Sequence, residues 1–327
     1  VWSPGAAIVA KIARRVLRSL AVACAALGAS GAALAQDSEA LAARYAAWQK
    51  TVEQDSTGPR LAIASETTGN RMRGDIDGVV PAPFATLAAR LASPGDWCEI
   101  ALLHLNVKTC THERGSRGPI VTFYSGSKRF QAPEQAYALQ YRFRIEKTAP
   151  EYIAIALTAT TGPLETRDYS IVVEAMPVGS HSFIHLSYAY RPSAASKLAT
   201  GTYLATVGAS KKGFSIIGRE RDGSPSYVSG LRGVVERNAV RNFLAIQAFL
   251  EGCDLPLPSR VTRALERWFD LTERYPLQLR ELERAEYLAV KEREYRQQVE
   301  RQQAIDTAAQ STPTATAIRC TADTAPC

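Results

Sequence analysis

The sequence lacks most of the patterns that announce chemistry. It has no C-x-x-C pair, no G-x-S-x-G elbow, no P-loop and no G-x-G-x-x-G fingerprint, which removes the usual warrants for a zinc site, a serine hydrolase and a nucleotide-binding enzyme. No internal repeat is visible. Beyond residue 35 no stretch reaches the ~20 apolar residues of a bilayer span. An excess of positive charge is also missing once the first 35 residues are set aside. Lys11, Arg14, Arg15 and Arg18 leave with them, and 35 basic against 32 acidic residues remain, a balance of +3 in place of +7. A nucleic-acid footprint therefore has little support.

What is present starts with those 35 residues. Four basic residues lead into the apolar run Leu20–Gly28, and Ala33-Leu-Ala35 stands before Gln36-Asp37. This is the pattern of a cleaved secretory leader with its cut after Ala35, and it predicts a periplasmic or secreted protein. Disulfides persist in such a compartment. Of six cysteines, Cys24 leaves with the leader, and Cys98 and Cys110 lie inside the ordered pattern and are expected to pair. Cys320 and Cys327 close a short loop that could pair. Cys253 is unassigned, and an odd total of five leaves one thiol free or intermolecular.

The periodicity divides the rest. Residues 36–58 read as a helix and linker. Leu61–Glu66 and Met72–Val80 read as a hairpin around Thr68-Gly-Asn. Phe84, Leu87, Ala88 and Leu91 follow Pro83 at helical spacing; Pro94-Gly95 stops that helix, and Asp96 is the expected N-cap of a second one from Trp97 to Leu103. Six strands are expected over 107–111, 120–124, 137–147, 152–160, 169–176 and 182–190. The clearest is Tyr137–Lys147, with Tyr137, Leu139, Tyr141, Phe143 and Ile145 on one face and Gln140, Arg142, Arg144 and Glu146 on the other. A helix is expected over 194–209. Gly230–Leu250 carries the stripe Leu231, Val235, Ala239, Asn242, Ile246 and Phe249, with Arg232, Glu236, Arg237 and Arg241 outside it. From Pro258 the chain turns rich in Glu and Arg, with helices over 260–275 and 277–307. Beyond Tyr295 the expected helix projects into solvent, and a polar tail follows.

Chemical candidates are few. His181 and His185 on a strand would stand roughly 13 Å apart at ~3.3 Å per residue, too far to share an ion, and read as solvent-face or rim side chains. His104 and His112 lack ligand spacing. Asp75 and Asp77, next to Arg71 and Arg73, read as carboxylates on a solvated edge. No metal, cofactor or catalytic constellation is assigned. The aromatic stripe carries more: Tyr141, Phe143, Tyr188 and Tyr190 fall on strand faces with Leu139, Ile145, Ile184 and Leu186. They read either as a filled core or as the wall of an apolar cavity.

The order of strands, two short helices, a long antiparallel sheet and a long amphipathic helix resembles the START-like, helix-grip (SRPBCC, Bet v 1-like) superfamily. The stretch Gly74-Asp-Ile-Asp-Gly-Val-Val-Pro-Ala-Pro-Phe-Ala-Thr-Leu followed by Leu91-Ala-Ser-Pro-Gly-Asp-Trp97 carries the likeness, and Gly230–Leu250 takes the place of the gripping helix. The resemblance spans roughly residues 59–252. It implies an α+β fold, a curved antiparallel sheet wrapped around that helix, with a pocket for a lipid or other apolar molecule. Some members of the superfamily are enzymes on aromatic or polyketide substrates. The leader, the Cys98–Cys110 bridge and the charged helices over 253–308, with a tail over 309–327 expected to be disordered, depart from its pattern. The wall residues expected to meet a ligand are Tyr141, Phe143, Tyr188 and Tyr190 from the sheet, with Asn242 and Ile246 from the helix. The alternative is a scaffold that engages a protein partner through residues 277–302. Transient membrane contact fits a lipid carrier.

Overall fold

The structure, a computed structural model, describes residues 37–53, 60–206 and 211–311. The predicted leader, the tail from residue 312, and Cys24, Cys320 and Cys327 lie outside the described residues.

Alternation along the strands builds one antiparallel sheet of eight: β1 (Leu61–Thr68), β2 (Arg71–Val80), β3 (Val107–Gly115), β4 (Gly118–Ser125), β5 (Tyr137–Ala149), β6 (Tyr152–Thr161), β7 (Arg167–Val178) and β8 (His181–Arg191). Their spatial order is β1-β2-β8-β7-β6-β5-β4-β3. Consecutive strands pair antiparallel from β3 through β8, with a longer connection over residues 126–136 between β4 and β5, and β2 pairs with β8. Against the inner face lies α5 (Gly230–Leu250), and the fold is α+β with a helix-grip-like arrangement. Close approach explains two glycines of the 74–80 stretch. A Cβ on Gly74 would fall 2.6 Å from Val235 Cγ1, and one on Gly78 would fall 2.7 Å from Phe243 Cζ; both positions let α5 settle on β2.

Facing follows period 2 with local exceptions. Leu139, Tyr141 and Phe143 are buried, but Tyr137 begins its strand half-exposed, and a register shift between Ile145 and Lys147 turns Ile145 outward. The centre of the sheet is covered on both sides. In β6, residues Tyr152 to Leu157 are all buried, because a helix over residues 37–53 (α1) packs on the outer face. Its Leu41, Tyr45 and Trp48 close over Phe183 and Tyr152.

The two short helices are α2 (Phe84–Leu91) and α3 (Pro94–Leu102). Asp96 is not the cap of the second. Ser93 is, and its Oγ accepts the Asp96 N–H at 3.2 Å. Pro94 sits at the first helical position, where its missing N–H costs nothing, so the Pro-Gly pair that ends α2 also opens α3. Cys98 of α3 is disulfide-bonded to Cys110 of β3, and Cys253 is a free, buried thiol.

After β8 come α4 (Ala194–Ala205), a small hairpin β9 (Ile216–Arg219) and β10 (Pro225–Tyr227), then α5, α6 (Ser259–Thr272), α7 (Pro276–Leu279) and α8 (Arg284–Ser311). One charged face is covered here, and one expectation fails. The charged side of α5 is not solvated: Glu236, Arg237 and Arg241 are buried, because the 211–215 segment, α6 and α7 pack over that side. Nor does α8 leave the domain after Tyr295. Gln298 Oε1 accepts the Cys110 N–H at 2.9 Å, and Gln302 both accepts from His112 N and donates to His112 O, each at 2.9 Å. Glutamine amides thus pair with the open edge of β3 as another strand would. Trp268, Leu271 and Tyr287 join the main apolar core.

Candidate functional site

Between the inner face of the sheet and α5 the side chains leave a cavity of about 420 Å³. Strands supply Val107, Phe123, Leu139, Tyr141, Tyr169, Ile171 and Tyr188; α5 supplies Asn238 and Asn242; the turn after α3 supplies His104 and Asn106. Of the six residues expected to meet a ligand, the structure brings Tyr141, Tyr188 and Asn242 to this wall. Phe143 and Ile246 are core side chains outside the lining. Tyr190 stands behind it, stacked on Tyr169 with ring centroids 5.3 Å apart. Sequence reasoning missed Tyr169, His104, Asn106 and Asn238. Asn238 had a signal, since it lies one turn before Asn242 on the same helix.

The wall is largely apolar and carries a few polar, uncharged groups. Burial, reinforced by Tyr169 and Tyr141, holds the Tyr188 phenol well above its ordinary range, and burial does the same for Tyr141 and Tyr169. Tyr190 is pushed up to about 12, again by burial. These phenols are therefore neutral donors near pH 7. Tyr169 exchanges a 2.9 Å hydrogen bond with Thr166. Burial first, then the cations Arg241, Lys291 and Lys108, press the pKa of His104 well below that of a free histidine. His104 Nδ1 accepts the Asn106 N–H at 3.1 Å, which places the ring proton on Nε2. Phenols, amides and a neutral imidazole on an apolar wall can orient a polar group on an otherwise apolar molecule.

A second cluster lies on the outer face and is closed. His185 is buried, not a rim side chain: Nδ1 is 2.7 Å from Asp77 Oδ1 and Nε2 is 3.6 Å from Asp75 Oδ1. Arg44 of α1 reaches Asp77 at 3.2 Å, and Arg73 pairs with Asp75 at 3.0 Å. Asp75 and Asp77 are mostly buried and belong to an interior strand, because α1 covers the face that period 2 alone would leave wet. His181 is exposed. Among the described residues no three acidic, histidine or cysteine side chains group as metal ligands.

No family model matches the sequence, and no curated protein matches it. Solved structures similar in arrangement include a protein from Arthrobacter aurescens, 10% identical over 58% of this chain and 91% of its own, with a TM-score of 0.31. Ara h 8.0201 is 11% identical over 42% and 91% at a TM-score of 0.28. A Thalictrum flavum norcoclaurine synthase point mutant in complex with a transition-state analogue is 12% identical over 45% and 84%, also at 0.28.

Proposed function

We propose that this is an exported carrier that holds one apolar small molecule, with a polar end, in the cavity against α5. One observation carries the reading: a partly open space of about 420 Å³ lies between sheet and helix, unfilled by side chains. That volume is near the lower end of the ~300–1,000 Å³ of small-molecule sites. It suits a single acyl chain or a few rings rather than a two-tailed phospholipid. Each Å² of apolar ligand removed from water contributes ~25 cal/mol, so affinity needs no charged anchor, and Tyr188 and Asn242 would set orientation. Export rests on the leader pattern, and the Cys98–Cys110 bridge suits an oxidising compartment.

The test is binding of a fluorescent single-chain lipid by protein carried through an exporting host, together with mass spectrometry of its organic extract. Ala101 lines the cavity, so Ala101→Phe fills it. We expect at least about tenfold weaker uptake, the ~1.4 kcal/mol of a lost apolar contact, with the thermal midpoint little changed. Equal uptake by Ala101→Phe, or none by the parent chain, would overturn the carrier reading.

A further inference from the structure

The outer face of the sheet is covered at one end only. There α1 closes over Tyr152 and Phe183. At the other end an open groove of about 430 Å³ lies across β5, β6 and β7. Period 2 builds its floor. Tyr141, Phe143, Leu157, Ala159, Tyr169 and Ile171 are buried on the inner side, so Arg142, Thr158 and Ser170 between them face outward. Register sets these three in one row, with Arg142 opposite Thr158 and Thr158 opposite Ser170. Two strand spacings, roughly 10 Å, separate the backbones at the ends of that row. Arg71 of β2 enters from the far side, donating to Ser170 Oγ at 2.8 Å and to Asp168 O at 3.1 Å. β8 stands between, and its residue opposite Ser170 is the small Ala189. Two arginines thus border one groove from opposite sides of Thr158.

Their charge is not neutralised. Among the described residues neither Arg71 nor Arg142 is in an ion pair. Arg71 spends donors on a carbonyl and a hydroxyl, while Arg73 and Arg144, on the same face, take the carboxylates of Asp75 and Glu146. Asp168, the carboxylate that lines the groove, is held by Arg191 at 2.8 Å. The backbone contributes as well. β7 shifts register between Arg167 and Ser170, and Asp168 takes a φ of 52°, a left-handed conformation uncommon outside glycine. That residue's carbonyl is the one that meets Arg71. Bulges and left-handed residues fixed by their surroundings collect beside ligand sites.

We propose that this groove binds a phosphate ester of a small polyol, with the phosphate over Thr158 between Arg142 and Arg71. Guanidinium forks match the oxygens of a phosphate, and charge-assisted hydrogen bonds are the strong ones. The Thr158 hydroxyl adds a neutral donor. Gln140 and Thr160, two residues along their strands and exposed in the same groove, offer an amide and a hydroxyl to the polyol. A volume of about 430 Å³ lies within the ~300–1,000 Å³ of small-molecule sites, more room than a single ion fills. Free glycerol phosphate and the headgroup of phosphatidic acid present the same chemistry. The sheet separates this groove from the cavity against α5, so the proposal is independent of the carrier reading.

The experiment is calorimetric titration of the full chain at low salt with glycerol phosphate, glycerol and inorganic phosphate. A second arm is co-sedimentation with phosphatidylcholine vesicles, with and without phosphatidic acid. We expect glycerol phosphate to bind at least about tenfold tighter than glycerol or inorganic phosphate. Arg142→Gln should weaken it about tenfold, and Arg142→Lys should recover part of the loss. Arg144→Gln, on the same strand and face but outside the groove, should leave it unchanged. Arg142 is exposed, so its variants keep the fold, and their thermal midpoints check this. Vesicle binding that requires phosphatidic acid and falls in Arg142→Gln supports the site with a lipid headgroup as its source. Binding of the soluble ester alone supports it with a free ester. Equal weakening by Arg144→Gln would reduce the effect to surface charge and overturn the site. Inorganic phosphate binding as tightly as the ester would overturn the ester assignment, and no binding in either arm would end the proposal. Uptake into the cavity is untouched by any of these results.

Discussion

Two buried cation clusters are each built around a single glutamate, and they are finished differently. At the β3 edge, Lys108 and Lys291 flank Glu294, at 2.9 and 2.7 Å, with all three side chains sealed from solvent. Lys291 gives its two remaining ammonium protons to His104 O and Val107 O, and Lys108 gives one to Arg129 O. Beside α5, Glu281 meets Arg241 at 2.9 Å, Lys128 at 2.8 Å and Lys211 at 3.8 Å, Arg241 Nε lacks an acceptor and Lys128 is partly open to water. The first arrangement fastens α8 to the sheet. The second leaves Arg241 Nε without an acceptor. Buried charge by itself therefore does not mark a site.

The sharpest way to break this contrast is to remove each glutamate's charge. Glu294→Gln leaves two sealed ammonium groups unpaired, and we expect a loss of about 3–5 kcal/mol in denaturant unfolding. Glu281→Gln should cost less than half as much, since Lys128 can turn to solvent, and added inorganic phosphate should raise its melting temperature. No anion should rescue Glu294→Gln. Equal losses, or equal rescue, would erase the distinction between the clusters.

A smaller effect is expected from the titration of Lys291, pressed by burial to about 8 against an ordinary 10.5. Between those values the unfolded lysine holds a proton that the folded one has released. The unfolded state thus binds more protons, and unfolding free energy rises with pH across that window, by up to ~1.4 kcal/mol per unit. Acid loss is not involved; the gain is on the alkaline side. Stability curves at pH 8 and 9.5 should show the slope in the parent chain and a flatter one in Lys291→Met. An unchanged slope would place the titrating group elsewhere.

Much of the inner half of this fold was legible. The period of Tyr137–Lys147 named a strand and its buried face, the stripe of Gly230–Leu250 bounded α5, and the two cysteines within the ordered pattern are the bridged pair. What covers the other faces was not. Asp75, Asp77 and His185 are polar residues in a period-2 pattern, and their burial depends on α1, some thirty residues away in sequence for the aspartates and far more for the histidine. Glu236, Arg237 and Arg241 look like a solvated helix face until α6, α7 and the 211–215 segment close over them. Ser93 was hidden as a cap because Pro94 serves two helices at once. For the candidate site, the facing of Tyr141, Tyr188 and Asn242 could be read from spacing, but a void cannot, because filled and unfilled interiors share one hydrophobic pattern.

The glutamine seam between α8 and β3 gives the smallest test and the most local one. Gln302 exchanges both an acceptor and a donor with the backbone of His112, while Gln298 takes the Cys110 N–H and gives a longer 3.4 Å contact to Cys98 O. If α8 is a structural closure, each amide replaces one hydrogen-bonding position of a missing strand. Gln302→Ala should then cost about 1 kcal/mol, because water can reach the partly exposed His112 backbone and recover some of the loss. Gln302→Glu keeps the acceptor and loses the donor, so its cost should exceed that of Ala only if the carboxylate is held against His112 O. Amide hydrogen exchange at His112 separates the cases, with protection lost in Ala and retained in Glu. Protection retained in both would mean that β3 does not use α8 as its neighbour, and the contrast between a finished cluster and an unfinished one would lose its structural half.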